Sequence, residues 1–207
     1  MSPGFAEHTL AAYDRHATSL SFSRTLALLR STVGPLVDLE AVRDEHVLSE
    51  FKKKDLNKVM GTMSEDPYVN YVATCTGGVG YTDLYRFYKD YFIPNNPQSM
   101  KITPVSRTVG SDRVVDEMVL RFRHTCEMPY FLPGVKPTGK EVEIAVVSIV
   151  RVAGGKLYHE HVYWDQASVL VQLGLLNPEG LPAVGRESAR KLLDMRAVES
   201  NKLIPNW

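Results

Sequence analysis

The sequence predicts an α+β fold: a cone-shaped, curved antiparallel sheet packed on N-terminal helices, with helical extensions at both ends. Three observations predict it. Between Asp38 and Phe92 apolar residues recur mostly at helical spacing, whereas from Lys101 onward they alternate as in strands. The strand-like runs are long and separated by turn residues, as in a meander. The helices come as a block before the strands instead of alternating with them, which is the α+β order.

Taken in order, residues 1–37 read as an N-terminal extension. Leu26, Leu29 and Val33 lie on one helical stripe, and Gly34-Pro35 ends it. Such a helix, attached to a complete domain, can pack on a neighbouring subunit or cap a cavity. Asp38 stands where a helix cap would, and Leu39, Val42, Leu48, Phe51, Leu56, Val59 and Met63 form an apolar helical face. "KKKD" (Lys52–Asp55) marks a break within it. "PYVNYVAT" (Pro67–Thr74) is rich in strand formers. "TGGVG" (Thr76–Gly80) lacks the Lys-Ser/Thr of a phosphate loop and reads as a turn before a helix. Thr82 can cap a third helix, in which Leu84, Phe87, Tyr88 and Tyr91 share a face and "IPNNP" is the stop.

Beyond it, "KITPVSRTVG" and "RVVDEMVLRFRHTCEM" form a hairpin with its turn at Gly110–Asp112. "PYFLPGVKPTGKE" is a loop. "VEIAVVSIVRV" and "KLYHEHVYWD" are the last two strands, joined by "AGG", and "QASVLVQLGLL" returns to helical spacing. From Asn177 a linker leads to a polar helical tail at Arg186–Lys202. The chain thus divides into 1–37, 38–176 and 177–207. A curved sheet wrapped against helices encloses a cavity, a natural place for a small apolar ligand.

Composition narrows the function. The 207 residues suit one domain with extensions, and the formal net charge of zero argues against a nucleic-acid binder acting through a general basic field. "FKKKDLNK" (Phe51–Lys58) is interrupted by Asp55 and followed by Glu65 and Asp66, so it reads as a solvated helix face. Cys75 and Cys126 are far apart in sequence and define neither a disulfide framework nor a zinc site. No run of about 18 apolar residues is present, so no membrane span is expected, and a cytoplasmic location is.

The densest chemistry is "HEHVYWDQ" (His159–Gln166). Strand alternation sets His159, His161, Tyr163 and Asp165 on one face and Tyr158, Glu160, Val162 and Trp164 on the other, unless a bulge shifts the register. His159 and His161 form an HxH, but no histidine follows it. Only His124 stands as a third candidate ligand, so no metal is expected. An acid–base site fits better. His124 ends a mostly apolar strand face with Val114, Asp116, Met118, Leu120 and Phe122, where it is either a satisfied core histidine or a ligand contact at the open end of the cone. His46 lies four residues before Glu50, a spacing that also serves a plain helix-surface contact. Tyr71 and Tyr88 are the phenols chosen as donors to a developing oxyanion, and Tyr163 and Trp164 as further substrate contacts. Val115, Val119, Val147 and Ile149 offer an apolar outer sheet face that needs a cover, which predicts a homodimer.

"GVGYTDLYRFYKDYF" (Gly78–Phe92), "LPGVKPTGKEVEI" (Leu132–Ile144), "GGKLYHEHVYWD" (Gly154–Asp165) and "LVQLGLL" (Leu170–Leu176) together resemble the SnoaL-like polyketide cyclase group of the nuclear transport factor 2-like superfamily, over about Asp38 to Leu176. The resemblance implies the cone fold and a carboxylate near the end of the last strand as acid/base group, at or near Asp165. It also implies a first helix, with His46, lining the pocket. Asp165 equally suits the cap of the helix starting at Gln166. The expectation is a cofactor-independent isomerase, cyclase or dehydratase for an apolar carbonyl compound such as a secondary metabolite. Asp165 would be its base or acid, and His161 and His124 would position or polarise. The alternative is a non-catalytic ligand-binding or dimerisation module of the same fold, which a closed apolar pocket without an inward ionisable group would favour.

Overall fold

The computed structural model describes residues 3–34 and 37–207. Among them, six helices accompany one curved, unclosed six-stranded sheet, and the fold is α+β. Helix α1 (Arg15–Thr32) is capped by Asp14. Helix α2 (Leu39–Val47) is capped by Asp38, whose side chain accepts from Ala41 N. It widens into a π-helical turn, Leu48–Lys53, and stops at Lys54, whose φ of 50° is left-handed. Asp55 then caps the short α3 (Leu56–Gly61), so the break expected at "KKKD" is present.

Strand β1 (Met63–Tyr71) turns back into β2 (Thr76–Val79). The segment read as a turn is therefore a short edge strand, which the glycines allow. A Cβ on Gly77 would lie 2.1 Å from the Val69 carbonyl oxygen, so only glycine fits that close pairing. Helix α4 (Tyr81–Arg86) starts from Gly80 without a side-chain cap, so Thr82 does not take that role. It too passes into a π-helical turn, Phe87–Phe92.

The long strands β3 (Lys101–Val109), β4 (Arg113–Arg123), β5 (Glu141–Ala153) and β6 (Lys156–Trp164) follow, and α5 (Gln166–Leu173) and α6 (Glu187–Leu193) end the order. The C-terminal helix is much shorter than the expected 186–202. The sheet order is β2-β1-β6-β5-β4-β3. All pairs are antiparallel except β1–β6, which is parallel. That departure from a purely antiparallel sheet arises because β1, entering from α3, adds to the free edge of the last strand.

The inner face of the sheet packs on α2, α4 and their π turns. Val114, Met118, Phe122, Ile144, Val150, Leu157, Leu84, Tyr88 and Phe92 are buried there. The loop after β4 closes one end with Met128, Tyr130, Phe131 and Leu132, all buried. Among the described residues, the outer face is covered at its two ends. At one end α1 lies across Arg113, Arg151 and Asp112. Ser19 and Ser23 accept from Arg113, Ser23 donates to Asp112, and Arg151 sits over the Phe22 ring. At the other end Arg190 of α6 pairs with Glu143. α1 thus docks through serines and arginines, while Leu29 and Val33 of the expected stripe stay exposed.

Candidate active site

A cavity of about 440 Å³ lies between α2 and the inner face of β3–β6. Its walls are mostly apolar: Phe51, Tyr71, Phe92, Met118, Phe131, Val146 and Val162. Into it or immediately behind it project Arg43, His46 and Glu50 from α2 and its π turn, Asp116 from β4, Ser148 from β5 and Glu160 from β6. All six are buried. Arg43, His46 and Glu50 sit at i, i+3 and i+7, one helical stripe. Ser148 and Glu160 are polar residues at otherwise apolar inward positions of their strands.

Hydrogen-bond accounting fixes how His46 stands. The Thr62 hydroxyl donates to the Val59 carbonyl at 2.6 Å, so its oxygen must accept from His46 Nδ1, 2.7 Å away. Nδ1 therefore carries a proton. His46 Nε2 faces Glu50 Oε1 at 3.0 Å, a charge contact without the alignment of a good hydrogen bond, and Tyr88 Oη at 3.4 Å. A bare Nε2 lone pair would repel a carboxylate at that distance, so the pair is an imidazolium beside a glutamate. Burial alone would push the His46 pKa down, but the Glu50 carboxylate outweighs it and holds His46 above its ordinary value. Burial conversely raises Glu50, and the His46 charge more than reverses that.

Glu160 behaves differently. One of its oxygens accepts from Ser148 Oγ at 2.9 Å; the other, Oε2, is buried with no hydrogen bond and lies 4.0 Å from His46 Nε2. Burial first, and then the nearby Glu50 charge, push its pKa up. Two carboxyls in one apolar setting are thus shifted in opposite directions, Glu50 toward the ionised form and Glu160 toward the protonated one. The phenols of Tyr71 and Tyr88 are also pushed well up by burial, so both are neutral donors. Tyr130, whose hydroxyl donates to Asn96 Oδ1 at 2.6 Å, braces the far wall.

His46, Glu50 and Glu160 bring ligand atoms within 4.8 Å of one another, a spacing that can hold a metal ion. The imidazolium and Arg43 already supply positive charge beside the two carboxyls.

The other residues singled out in the sequence lie elsewhere. A bulge at the start of β6 turns both Tyr158 and His159 outward, stacked with centroids 4.0 Å apart. His161 and Tyr163 follow on that outer face, so the cavity takes the Glu160–Val162 face of β6 and not the histidine face. His159 is pushed down to about 4 by burial and then by Arg151, and burial lowers His161 too. Both are neutral imidazoles against the Tyr68 ring edge. Asp165 is exposed and caps α5, accepting from Ala167 N and Ser168 Oγ. His124 is fully buried beside Thr138, away from the cavity lining, and burial lowers its pKa. Trp164 stacks on Phe131 with centroids 4.5 Å apart, behind the cavity wall. Of the expected contacts, Tyr71 lines the cavity, and His46 and Tyr88 stand directly behind it.

Sequence reasoning did not bring Arg43, Asp116, Ser148 and Glu160 to the cavity, nor Tyr130 and Phe131 of the loop. The available signal was polar residues at inward positions of apolar faces. A cluster of titratable residues facing outward is more conspicuous in the sequence and less informative.

The profile of the SnoaL-like domain family matches residues 45–160, more than half of the chain. TsrD from Streptomyces laurentii is similar in structure, with a TM-score of 0.52 at 16% identity, covering 68% of this chain and 100% of that one. A Jannaschia sp. CCS1 protein assigned to the SnoaL-like polyketide cyclases is similar too, with a TM-score of 0.52 at 17% identity over 70% of this chain and 99% of that one. At these identities the likeness is one of fold. No curated protein matches the chain.

Proposed function

The chain belongs to the SnoaL-like domain family, and on that premise we propose that it is a cofactor-independent acid–base enzyme that isomerises, cyclises or dehydrates an apolar carbonyl compound through an enolate-like state. The observation that carries the reading is Glu160. It is a carboxyl buried at the cavity, with one oxygen free of hydrogen bonds and a pKa raised by burial. A group so placed can give and take a proton at carbon. An inward ionisable group is also what a passive binding module of this fold would not need.

In this reading Glu160 moves the proton, Ser148 fixes its carboxyl, and the His46–Glu50 pair sets the local charge. Tyr71 offers a neutral phenol toward the cavity. The apolar walls exclude water and hold the substrate body. Assembly as a homodimer through the uncovered middle of the outer face fits the half-buried Val115, Val147 and Ile149 there. Light scattering showing only monomer at micromolar concentration would remove that part.

The test uses solvent deuterium exchange into enolisable ketones, followed by proton NMR. Glu160→Gln keeps the size and the Ser148 contact but cannot carry the proton. Exchange should fall by about 10²–10⁴-fold. Exchange at the wild-type rate in a folded Glu160→Gln protein would overturn the assignment.

A further inference from the structure

The cavity contains a cation that the chemistry above does not use. Arg43 is 5% exposed and lines the cavity. Its only ion pair among the described residues is Nε to Asp116 Oδ2 at 3.2 Å, and neither Nε nor Nη1 makes a hydrogen bond. Asp116 is engaged elsewhere, because Arg107 donates to both of its oxygens. Arg107 is itself saturated, pairing also with Asp44 and Glu40 at the cavity mouth. Arg43 is therefore the cavity-lining cation left with donors to offer.

A guanidinium has five N–H donors, and burying those on Nε and Nη1 without acceptors is costly unless something else accepts them. The surroundings define that acceptor. It must be an oxygen, since the donors are fixed in a planar fork suited to oxygen acceptors. An oxygen that carries or develops negative charge suits it best, since Nε and Nη1 are buried donors without acceptors and charge-assisted hydrogen bonds are the stronger ones. A conjugated apolar body suits the rest of the space, since Phe51, Tyr71, Phe92 and Phe131 offer ring faces and edges to stack against.

We propose that Arg43 is the oxyanion-binding residue of this cavity, and that its ligand is an enol or phenol on a planar apolar skeleton, bound with that oxygen ionised. This deepens the acid–base reading, on which it rests for the enolate. Arg43 would stabilise on oxygen the charge that arises when Glu160 takes a proton from carbon. The C–H bond breaks, its electron pair moves into the enolate, and the proton goes to the Glu160 carboxylate. In the return step the protonated Glu160 delivers it to the new carbon, and the charge leaves the oxygen. Preorganised donors aimed at a developing oxyanion in a dry site contribute most where water cannot compete.

The test needs no turnover. 2-Naphthol is a planar phenol whose neutral and ionised forms absorb at different wavelengths. Wild-type protein should bind it and move its ionisation at least about one pH unit lower, a tenfold preference for the anion. Naphthalene, which has no oxygen, should bind at least tenfold more weakly than the anion. Arg43→Met should abolish the shift. Arg43→Lys keeps the charge without the fork; it guards against a Met variant that does not fold, and should retain only part of the shift. An unshifted or upward-shifted ionisation in wild type, an equal shift in Arg43→Met, naphthalene binding as tightly as the anion, or no naphthol binding at millimolar concentration would each overturn the proposal. Glu160→Gln should leave the naphthol shift in place while losing deuterium exchange, so failure of this inference and failure of the acid–base reading give different results.

Discussion

Glu50 and Glu160 share one buried cluster but differ in charge, and exchanging each for its neutral isostere separates them. Glu50→Gln removes the carboxylate that holds His46 protonated 3.0 Å away. The imidazolium loses its counter-charge in a fully buried site, and breaking one partner of such a pair costs about 3–5 kcal/mol. For a chain of this size that is a melting temperature lower by roughly 6–20 °C. Glu160→Gln replaces a carboxyl whose raised pKa favours the protonated state, and glutamine reproduces its acceptor for Ser148. Its cost near pH 7 should be below about 1 kcal/mol, with a gain in stability allowed, because isosteric neutral replacements of buried charge are often neutral or stabilising.

The pH dependence gives the sign. A carboxyl raised on folding binds its proton more tightly in the native state, so it costs stability as pH rises from its unfolded value, near 4.5, through its folded one. Glu160→Gln removes that loss, and its advantage over wild type should grow with pH in that window. Glu50, lowered on folding, contributes stability above about pH 4.5 that fades as pH falls below it. His46, raised on folding, contributes stability that is full below about pH 6.5 and fades as pH rises above it. Urea denaturation of the three proteins from pH 4 to 9 measures all of this. Equal destabilisation by both substitutions, or Glu50→Gln within about 1 kcal/mol of wild type at pH 6, would refute the charge assignment, since the cost of a broken buried pair is several-fold larger.

Three further outcomes are expected. Asp165→Ala should lose about 1 kcal/mol of stability as a lost helix cap, while Asp165→Asn loses a few tenths; deuterium exchange more than tenfold slower in a stable Asp165→Asn protein would return Asp165 to the chemistry. Thr62→Val leaves the His46 Nδ1 proton without its acceptor and should cost about 1–3 kcal/mol, with nitrogen-15 NMR reporting a changed imidazole; an unchanged histidine spectrum would contradict the tautomer derived from Thr62. Elemental analysis of purified protein should find metal below stoichiometry, and a stoichiometric transition metal lost in His46→Ala would replace the imidazolium–glutamate account of the cluster.

Local signals in the sequence determined the element types and their order. Asp38 caps its helix where its place before an apolar stripe says it should, and the break expected at "KKKD" falls where Asp55 caps the next helix. The change from helical to alternating period locates the long strands, because burial on one face imposes that period whatever the neighbours are. That Val114, Asp116, Met118 and Phe122 share one strand face was legible for the same reason. Alternation also divided most of the last strand into two sets, and the caution about a bulge applied at Tyr158–His159.

Which set faces the cavity was decided by the tertiary structure, because period two is symmetric: it separates faces without saying which is inside. The outer set, His159, His161 and Tyr163, is chemically richer. The inner set offers a single acid, and Glu160 acquires its raised pKa only when α2 brings Glu50 alongside, more than a hundred residues away in sequence. The parallel pairing of β1 on β6 and the insertion of Tyr130 and Phe131 into the cavity wall are long-range contacts of the same kind. The freedom of Arg43 also depends on structure, since it follows from Arg107, on a different strand, engaging both oxygens of Asp116. Charge states and unpaired donors are properties of assembled neighbours, and they exist only once the chain has folded.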